Sequence, residues 1–328
     1  MAKKILVTGG TGFIGSNLVK KLYNNKNKIT VFADSTYHHF LKGLKIKIVK
    51  GDIRNYKAVF HAVNGHDYVY HLAASTLNSV HEKKKIFEVN VQGTENVMKA
   101  CLKSGVKKAI YVSSSAALGF SKYERSLTEK DNMDFKDNLY GQSKKLGEDK
   151  VLEYVAKGLN AAIVLPSYVL GAGEIDPKRY GLFKSIANNR IRFTYPGGGG
   201  TVAVEDLVDG IVLAMEKGKT GGRYILSNEY VRLFDFYNLI AKILKKPKIR
   251  LKIPKITYHL MYLLGLILEK IMKNPPITTE SVRWHFNYRV YDSTKARKEL
   301  GWKPKISLAE SIRRTAKYYK SIGILDFS

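Results

Sequence analysis

The sequence predicts a doubly wound α/β fold, a parallel sheet covered on both faces by helices, with a smaller irregular domain interleaved behind it. Three observations carry this. Short Val/Ile/Leu/Tyr-rich runs closed by Gly, Asp, Ser or Pro alternate with longer stretches of helical period through the first half of the chain. A glycine-rich turn joins the first such run to the first helical stretch. The length, 328 residues, suits one large or two modest domains with a real core. Strand–helix alternation with right-handed crossovers makes the sheet parallel.

In chain order, residues 4–8, 28–33, 46–50, 68–71, 108–113 and 161–165 read as strands, and 13–23, 55–63, 82–104 and 140–157 as helices. A dinucleotide-binding domain over 1–165 and a mainly substrate-binding domain over 166–328 follow. The second half holds Gly171-Ala172-Gly173, a glycine run at 197–200 and a short strand at 223–226. Residues 248–253 alternate basic and apolar, which predicts a half-buried strand with a basic outer face. The longest uncharged apolar stretch, 256–268, is 13 residues, below the ~18 needed to span a bilayer. Burial against the second domain is the expectation for 256–272. Peripheral contact with an anionic membrane is the competing one, because Lys255, Lys270 and Lys273 flank the segment.

With 45% hydrophobic and 26% charged residues, wholesale disorder and collagen-like or coiled-coil architectures are excluded. The single Cys101 forms no intramolecular disulfide, and Met1-Ala2-Lys3-Lys4 runs straight into a short apolar strand rather than a secretory segment, so a cytoplasmic location is expected. No metal site is expected: the pair His38-His39 lacks Cys or His partners at ligand spacing. Net charge is +28, and residues 241–328 hold 20 basic against 6 acidic side chains. Such asymmetry favours an anionic neighbour, whether a phosphorylated or nucleotide-linked substrate, nucleic acid or lipid headgroups, against a general bias of composition.

The turn Gly9-Gly10-Thr11-Gly12-Phe13-Ile14-Gly15 has the Gly-x-x-Gly-x-x-Gly spacing of a dinucleotide loop. Glycines let the backbone turn sharply and approach a pyrophosphate, whose charge then meets free N–H groups at the helix start. Asp34, closing the second strand, accepts from ribose hydroxyls and repels a 2′-phosphate; no Arg occurs between Gly15 and Ile53, so NAD is favoured with NADP kept open. Asp52-Ile53, closing the third strand, either holds the adenine or merely caps a loop.

The strand at 108–113 runs into Ser113-Ser114-Ser115, and Tyr140-Gly141-Gln142-Ser143-Lys144 opens a helix 26 residues after Ser114. Tyr140 and Lys144, at i and i+4, share a helix face. The same spacing occurs at Tyr180 and Tyr291, so the strand-end serines, not the spacing, select Tyr140. Hydride transfer at a secondary alcohol needs a proton acceptor, and an ordinary Tyr, pKa about 10, is a poor base at neutrality. Making it competent takes about 4 kcal/mol of preferential phenolate stabilisation, which the Lys144 ammonium and a nicotinamide cation supply. Ser114, with Ser115 as substitute, orients the substrate oxygen.

These residues, with Gly51-Asp52, His71-Leu72-Ala73-Ala74, Asn90-Val91-Gln92-Gly93-Thr94, Pro166-Ser167, Val202 to Leu207 and Leu300 to Pro304, resemble the extended short-chain dehydrogenase/reductases, the NAD-dependent epimerase/dehydratase group. The dihydroflavonol 4-reductase-like and hopanoid-associated sugar epimerase branch looks nearest. The resemblance implies a Rossmann sheet, a Ser114–Tyr140–Lys144 trio, and a cofactor bordered by Gly9, Thr11, Gly12, Phe13, Ile14, Gly15, Leu72, Ala73, Ala74, Asn90, Pro166 and Ser167. It makes His71 a strand-end residue beside the cofactor and the protein a homodimer. By spacing, the family's ribose-binding Asp falls at Ala33, and Leu165 and the lack of a late Arg-Pro-Gly-Asp depart from its nucleotide-sugar members. The expected activity is an NAD(P)-dependent oxidoreductase acting on a secondary alcohol or ketone of a small molecule. A nucleotide-sugar epimerase or dehydratase using the same trio is the first alternative, and a non-catalytic dinucleotide-sensing or RNA-binding protein the second.

Overall fold

The structure, a computed structural model, describes residues 2–23, 27–34, 39–76, 82–121, 123–131, 138–272 and 275–325. His38 of the histidine pair and Lys273 lie outside them. The strands are β1 (Lys4–Thr8), β2 (Lys28–Ala33), β3 (Lys47–Lys50), β4 (Tyr68–His71), β5 (Lys108–Val112), β6 (Ser126–Leu127), β7 (Ala161–Pro166), β8 (Tyr168–Leu170), β9 (Phe193–Thr194), β10 (Gly198–Ala203), β11 (Arg223–Leu226), β12 (Glu229–Arg232), β13 (Leu251–Lys252) and β14 (Tyr288–Tyr291). The helices are α1 (Phe13–Tyr23), α2 (Tyr56–Val63), α3 (Lys83–Phe87), α4 (Gly93–Lys103), α5 (Leu139–Ala156), α6 (Pro177–Ala187), α7 (Val204–Lys217), α8 (Leu233–Ile243), α9 (Tyr258–Ile271), α10 (Thr279–Phe286) and α11 (Leu308–Ser321).

Seven parallel strands form the main sheet in the order β11-β7-β5-β4-β1-β2-β3. Along β1 the side chains alternate between two cores: Ile5 and Val7 face a cluster that includes α1 and α7, while Leu6 faces one that includes α2, α4 and α5. Both faces are therefore apolar, which is why the strands read as short continuous apolar runs. Strand order reverses between β4 and β1, and ligands of open α/β sheets bind at the carboxyl ends there.

The strand at 223–226 joins this first sheet as its outermost member, paired with β7. The second sheet, β12-β10-β14-β6 with β8 beside β10, and helices α6, α8 and α11 form a further core around Phe183, Phe236, Ile240 and Ile312. Asp206 of α7 fastens the C-terminal segment, its carboxylate accepting from the Lys305 and Ile306 amides and its carbonyl from the Trp302 indole.

Three expectations are corrected. The helix expected over 82–104 is α3, a π-helical turn over Glu88–Gln92 and α4. The strand expected over 248–253 shrinks to the two exposed residues of β13, because the Asn238 amide takes up the N–H and C=O of Ile249 that a ladder would have used. The segment 256–272 is not buried: in α9 only Gly265 is, and a row of aliphatic side chains faces solvent. Among the described residues no helix is long and apolar enough to cross a membrane.

Candidate active site

The carboxyl ends of the parallel strands gather the expected residues at one edge of the sheet. Past β1, Gly9 turns with φ +68°, and a Cβ there would lie 2.6 Å from the Ala73 nitrogen. A Cβ on Gly15 would stand 2.1 Å from the Gly9 carbonyl oxygen, so the first turn of α1 rests directly on the loop. Gly12 is exposed and meets nothing closer than 3.4 Å. The amides of Phe13, Ile14 and Gly15 begin α1, where N–H groups have no carbonyl four residues back. A narrow backbone cradle, a helix start aimed at it and an open Gly12 fit the pyrophosphate of a dinucleotide. Thr11, Phe13 and Ile14 are half-buried around it, as are Leu72, Ala73 and Ala74 beyond β4.

Asp34 ends β2 exposed, and Ala33 before it is buried. Past β3 the Asp52 carboxylate closes on its neighbour Arg54, whose guanidinium also pairs with Glu88, and Arg54 holds Asp52 below the usual carboxylate range. Ile53 is buried against Gly93. Arg54 directly follows the arginine-free stretch from Gly15 to Ile53, and it is paired with two acids.

A ladder of buried polar groups ties the end of β1 to α5. Thr94 Oγ1 donates its one proton to the Asn90 carbonyl (2.7 Å), so His71 Nε2–H must donate to Thr94 (3.0 Å). His71 Nδ1 then accepts from Thr8 Oγ1 (2.7 Å), which itself accepts from the Ala73 amide. Burial pushes His71 down to about 3, keeping it neutral, and both ring nitrogens are occupied. Asn90 continues the ladder: its amide holds the Ser75 backbone from both sides and donates to Ser143 Oγ (2.8 Å), which donates to the Tyr140 carbonyl. The structure thus places Asn90 as a brace.

Asn138 caps α5 by accepting from the Gly141 amide, and a Cβ on Gly141 would lie 2.6 Å from the Ala116 carbonyl. This close approach presses the start of α5 onto the turn after β5 and brings Tyr140 beside Ser114. Ser115 instead lies beside Tyr291 of β14. Burial raises Tyr140 above its ordinary value, against the pull of Ser114 and of the Arg179 guanidinium. Arg179, at the start of α6, is paired with Glu174 (3.2 Å) and stacked on Tyr168, and no spacing rule pointed to it. Lys144 is fully buried, donates to the Val112 carbonyl (2.8 Å) and lies 4.4 Å over the Tyr111 ring; burial brings it down to about 7, against the opposing field of Glu148. Pro166 ends β7 and Ser167 follows it, its buried hydroxyl without a hydrogen-bond partner among the described residues. Among the described residues no cluster of His, Cys, Asp or Glu is placed to hold a metal.

A glycine cradle at the switch point of a doubly wound sheet, with a hydroxyl pair beside it, defines a dinucleotide-dependent α/β protein. The family model for the NAD-dependent epimerase/dehydratase family matches residues 5–227. The chain belongs to that family, the extended short-chain dehydrogenase/reductases, and is an NAD-dependent enzyme of the oxidoreductase and epimerase type rather than a non-catalytic binder. It is 29% identical over 305 residues to sterol demethylase protein B of Methylococcus capsulatus, covering 91% of this chain and 93% of that protein. It is 27% identical over 335 residues to a putative dihydroflavonol 4-reductase of Synechocystis, covering 98% and 96%. Among solved structures it is similar to gox2253, with a TM-score of 0.87 and 27% identity over 99% of this chain and 100% of that one.

Proposed function

We propose that this enzyme oxidises a secondary alcohol, or reduces the ketone, of a lipophilic small molecule, with Tyr140 as the proton-exchanging group. The carrying observation is the Tyr140–Ser114 hydroxyl pair, held at the carboxyl end of β5 by the Gly141 contact and the Asn90–Ser143 brace. NAD, when bound, supplies the hydride acceptor or donor and a positive ring. The cradle at Gly9, Gly12 and Gly15 would hold its pyrophosphate, Asp34 its ribose, Ile53 its adenine side, and Leu72, Ala73, Ala74, Pro166 and Ser167 its remaining flank. The sequence up to residue 165, completed by β11, holds the dinucleotide, and the rest covers the substrate.

Tyr140 is protonated at neutral pH in this arrangement, because burial disfavours phenolate. It is therefore set to give a proton to a reduced substrate oxygen. In the reverse direction, the Arg179 guanidinium favours the phenolate that accepts one, and Lys144 adds to it whenever it carries its proton. Ser114 donates to the substrate oxygen and fixes its line to Tyr140. The similarity to proteins named for sterols and flavonols favours a hydrophobic alcohol over a nucleotide-sugar, as does Leu165 in place of Asn. A homodimer and a cytoplasmic location belong to the same proposal.

Tyr140→Phe tests the reading. Dinucleotide binding, followed by quenching of NADH fluorescence, is expected to be kept, while turnover on hydroxysteroid and ketone panels falls at least about 100-fold. Undiminished turnover would refute the role of Tyr140. A cofactor retained through purification and unconsumed with UDP-sugars would make the enzyme an epimerase.

A further inference from the structure

The aliphatic side of α9 is on the outside. Leu260, Leu263, Leu264, Ile267 and Ile271 recur at i, i+3, i+4, i+7 and i+11, a single stripe on a helix. Leu260 and Ile271 are each 71% exposed, Leu263 55% and Ile267 49%. The face turned inward is the more polar one. Tyr258 packs edge-on against Phe286, Glu269 accepts from the Thr279 amide, and Gly265 lets α9 approach so closely that a Cβ would lie 3.0 Å from the Thr279 nitrogen. A helix stabilised only by burial would turn the other way. This inversion leaves apolar surface in water, and Ile256 just before α9 and the paired Leu251 and Phe193 are exposed as well.

The surroundings are cationic. Lys252, Lys255 and Lys270 stand exposed along the segment. Beside Leu251 opens a cleft of about 500 Å³ to which Arg192, Lys248 and Arg250 contribute and, among the described residues, no carboxylate does. An aliphatic stripe with a basic rim complements one kind of partner, acyl chains beneath anionic headgroups. A helix of 14 residues, roughly 21 Å long, is too short to span a bilayer and suited to lying in its interface.

We propose that α9, the lysine-bearing segment leading into it and the basic cleft at Leu251 form a docking surface for an anionic lipid bilayer, on which α9 lies parallel to the membrane plane. The inference is independent of the catalytic assignment, because none of these residues belongs to the cradle or to the hydroxyl pair.

Vesicle co-sedimentation of the full chain at low ionic strength tests it. The protein is expected to pellet with mixed phosphatidylcholine–phosphatidylglycerol vesicles, to stay in solution with phosphatidylcholine alone, and to be released by salt. The double variant Leu263→Asp/Ile267→Asp should lower the bound fraction about tenfold or more. Lys248→Gln/Arg250→Gln should abolish the preference for anionic vesicles. Retained NADH quenching shows that each variant is folded. The proposal is overturned if the wild type stays in the supernatant with anionic vesicles, or if the Leu263/Ile267 variant pellets as well as the wild type. It is equally overturned if the wild type ignores vesicles and sediments as an oligomer that this variant dissolves, since a second copy would then be the occupant.

Discussion

Lys144 carries an amine into a space with almost no water, where one carbonyl and one aromatic face replace its hydration. Its folded value near 7 lies below the ordinary value of 10.5, so between the two the unfolded chain binds a proton that the folded chain does not. Stability therefore rises with pH across that window, and below about 7 the whole cost of burying the ammonium is felt. Lys144→Met should remove this rise: denaturant titrations of the dinucleotide-free protein between pH 7 and about 9.5 should show a slope in the wild type that the variant lacks. Equal slopes would mean that Lys144 is not titrating in the fold. Its place on α5, one turn from Tyr140, was legible from the i, i+4 spacing. Its partners were not, since Val112, 32 residues earlier, and Tyr111 before it belong to a strand and offer only a carbonyl and a ring. Arg179 was illegible for a similar reason: its position beside Tyr140 depends on how α6 returns over the sheet edge, which no local pattern encodes.

At the scale of elements, the glycine turn separates two functions of its residues. A Cβ on Gly15 meets a backbone carbonyl that cannot move aside, so Gly15→Ala must push α1 away from β1. Gly12 has room for a methyl group but faces the space a pyrophosphate would fill. Gly15→Ala is expected to lower both the melting temperature and NADH affinity, whereas Gly12→Ala should keep the melting temperature and weaken affinity by about tenfold or more. Loss of melting temperature in both would mean that Gly12 is a folding residue only. Strands buried on both faces and bounded by Gly, Asp, Ser or Pro were legible nearly to the residue, because the pattern that marks them is the pattern that buries them. The segments at 248–253 and 256–272 misled for complementary reasons. The alternation of the first met no partner strand long enough to pair with it, and the apolar stretch of the second was taken for core when its core-facing side is Tyr258, Tyr262, Gly265 and Glu269.

For the whole molecule, the decisive return is that of β11, which comes back from the second half to edge the first sheet. Arg223 at its start forms an ion pair with Glu148 of α5 (2.7 Å), with side-chain exposures of 17% and 1%, and Ser113 donates to the same carboxylate. The pair joins the latest strand of the sheet to the helix that carries Tyr140 and Lys144, so its loss reaches both stability and the site. Burial already raises Glu148 above its ordinary 4.5, with Arg223 and Ser113 opposing. Arg223→Met leaves that carboxylate buried without its cation and should cost about 3–5 kcal/mol near neutral pH. The variant carboxyl then titrates higher still, so below that value the folded state holds a proton the unfolded state lacks, and the deficit shrinks on acidification. Thermal melts of wild type and variant near pH 7 and near pH 5.5 should show the gap narrowing at the lower pH. A gap that is constant or widens would place the cost of the substitution in lost packing, and the pair would not be what holds β11 to α5.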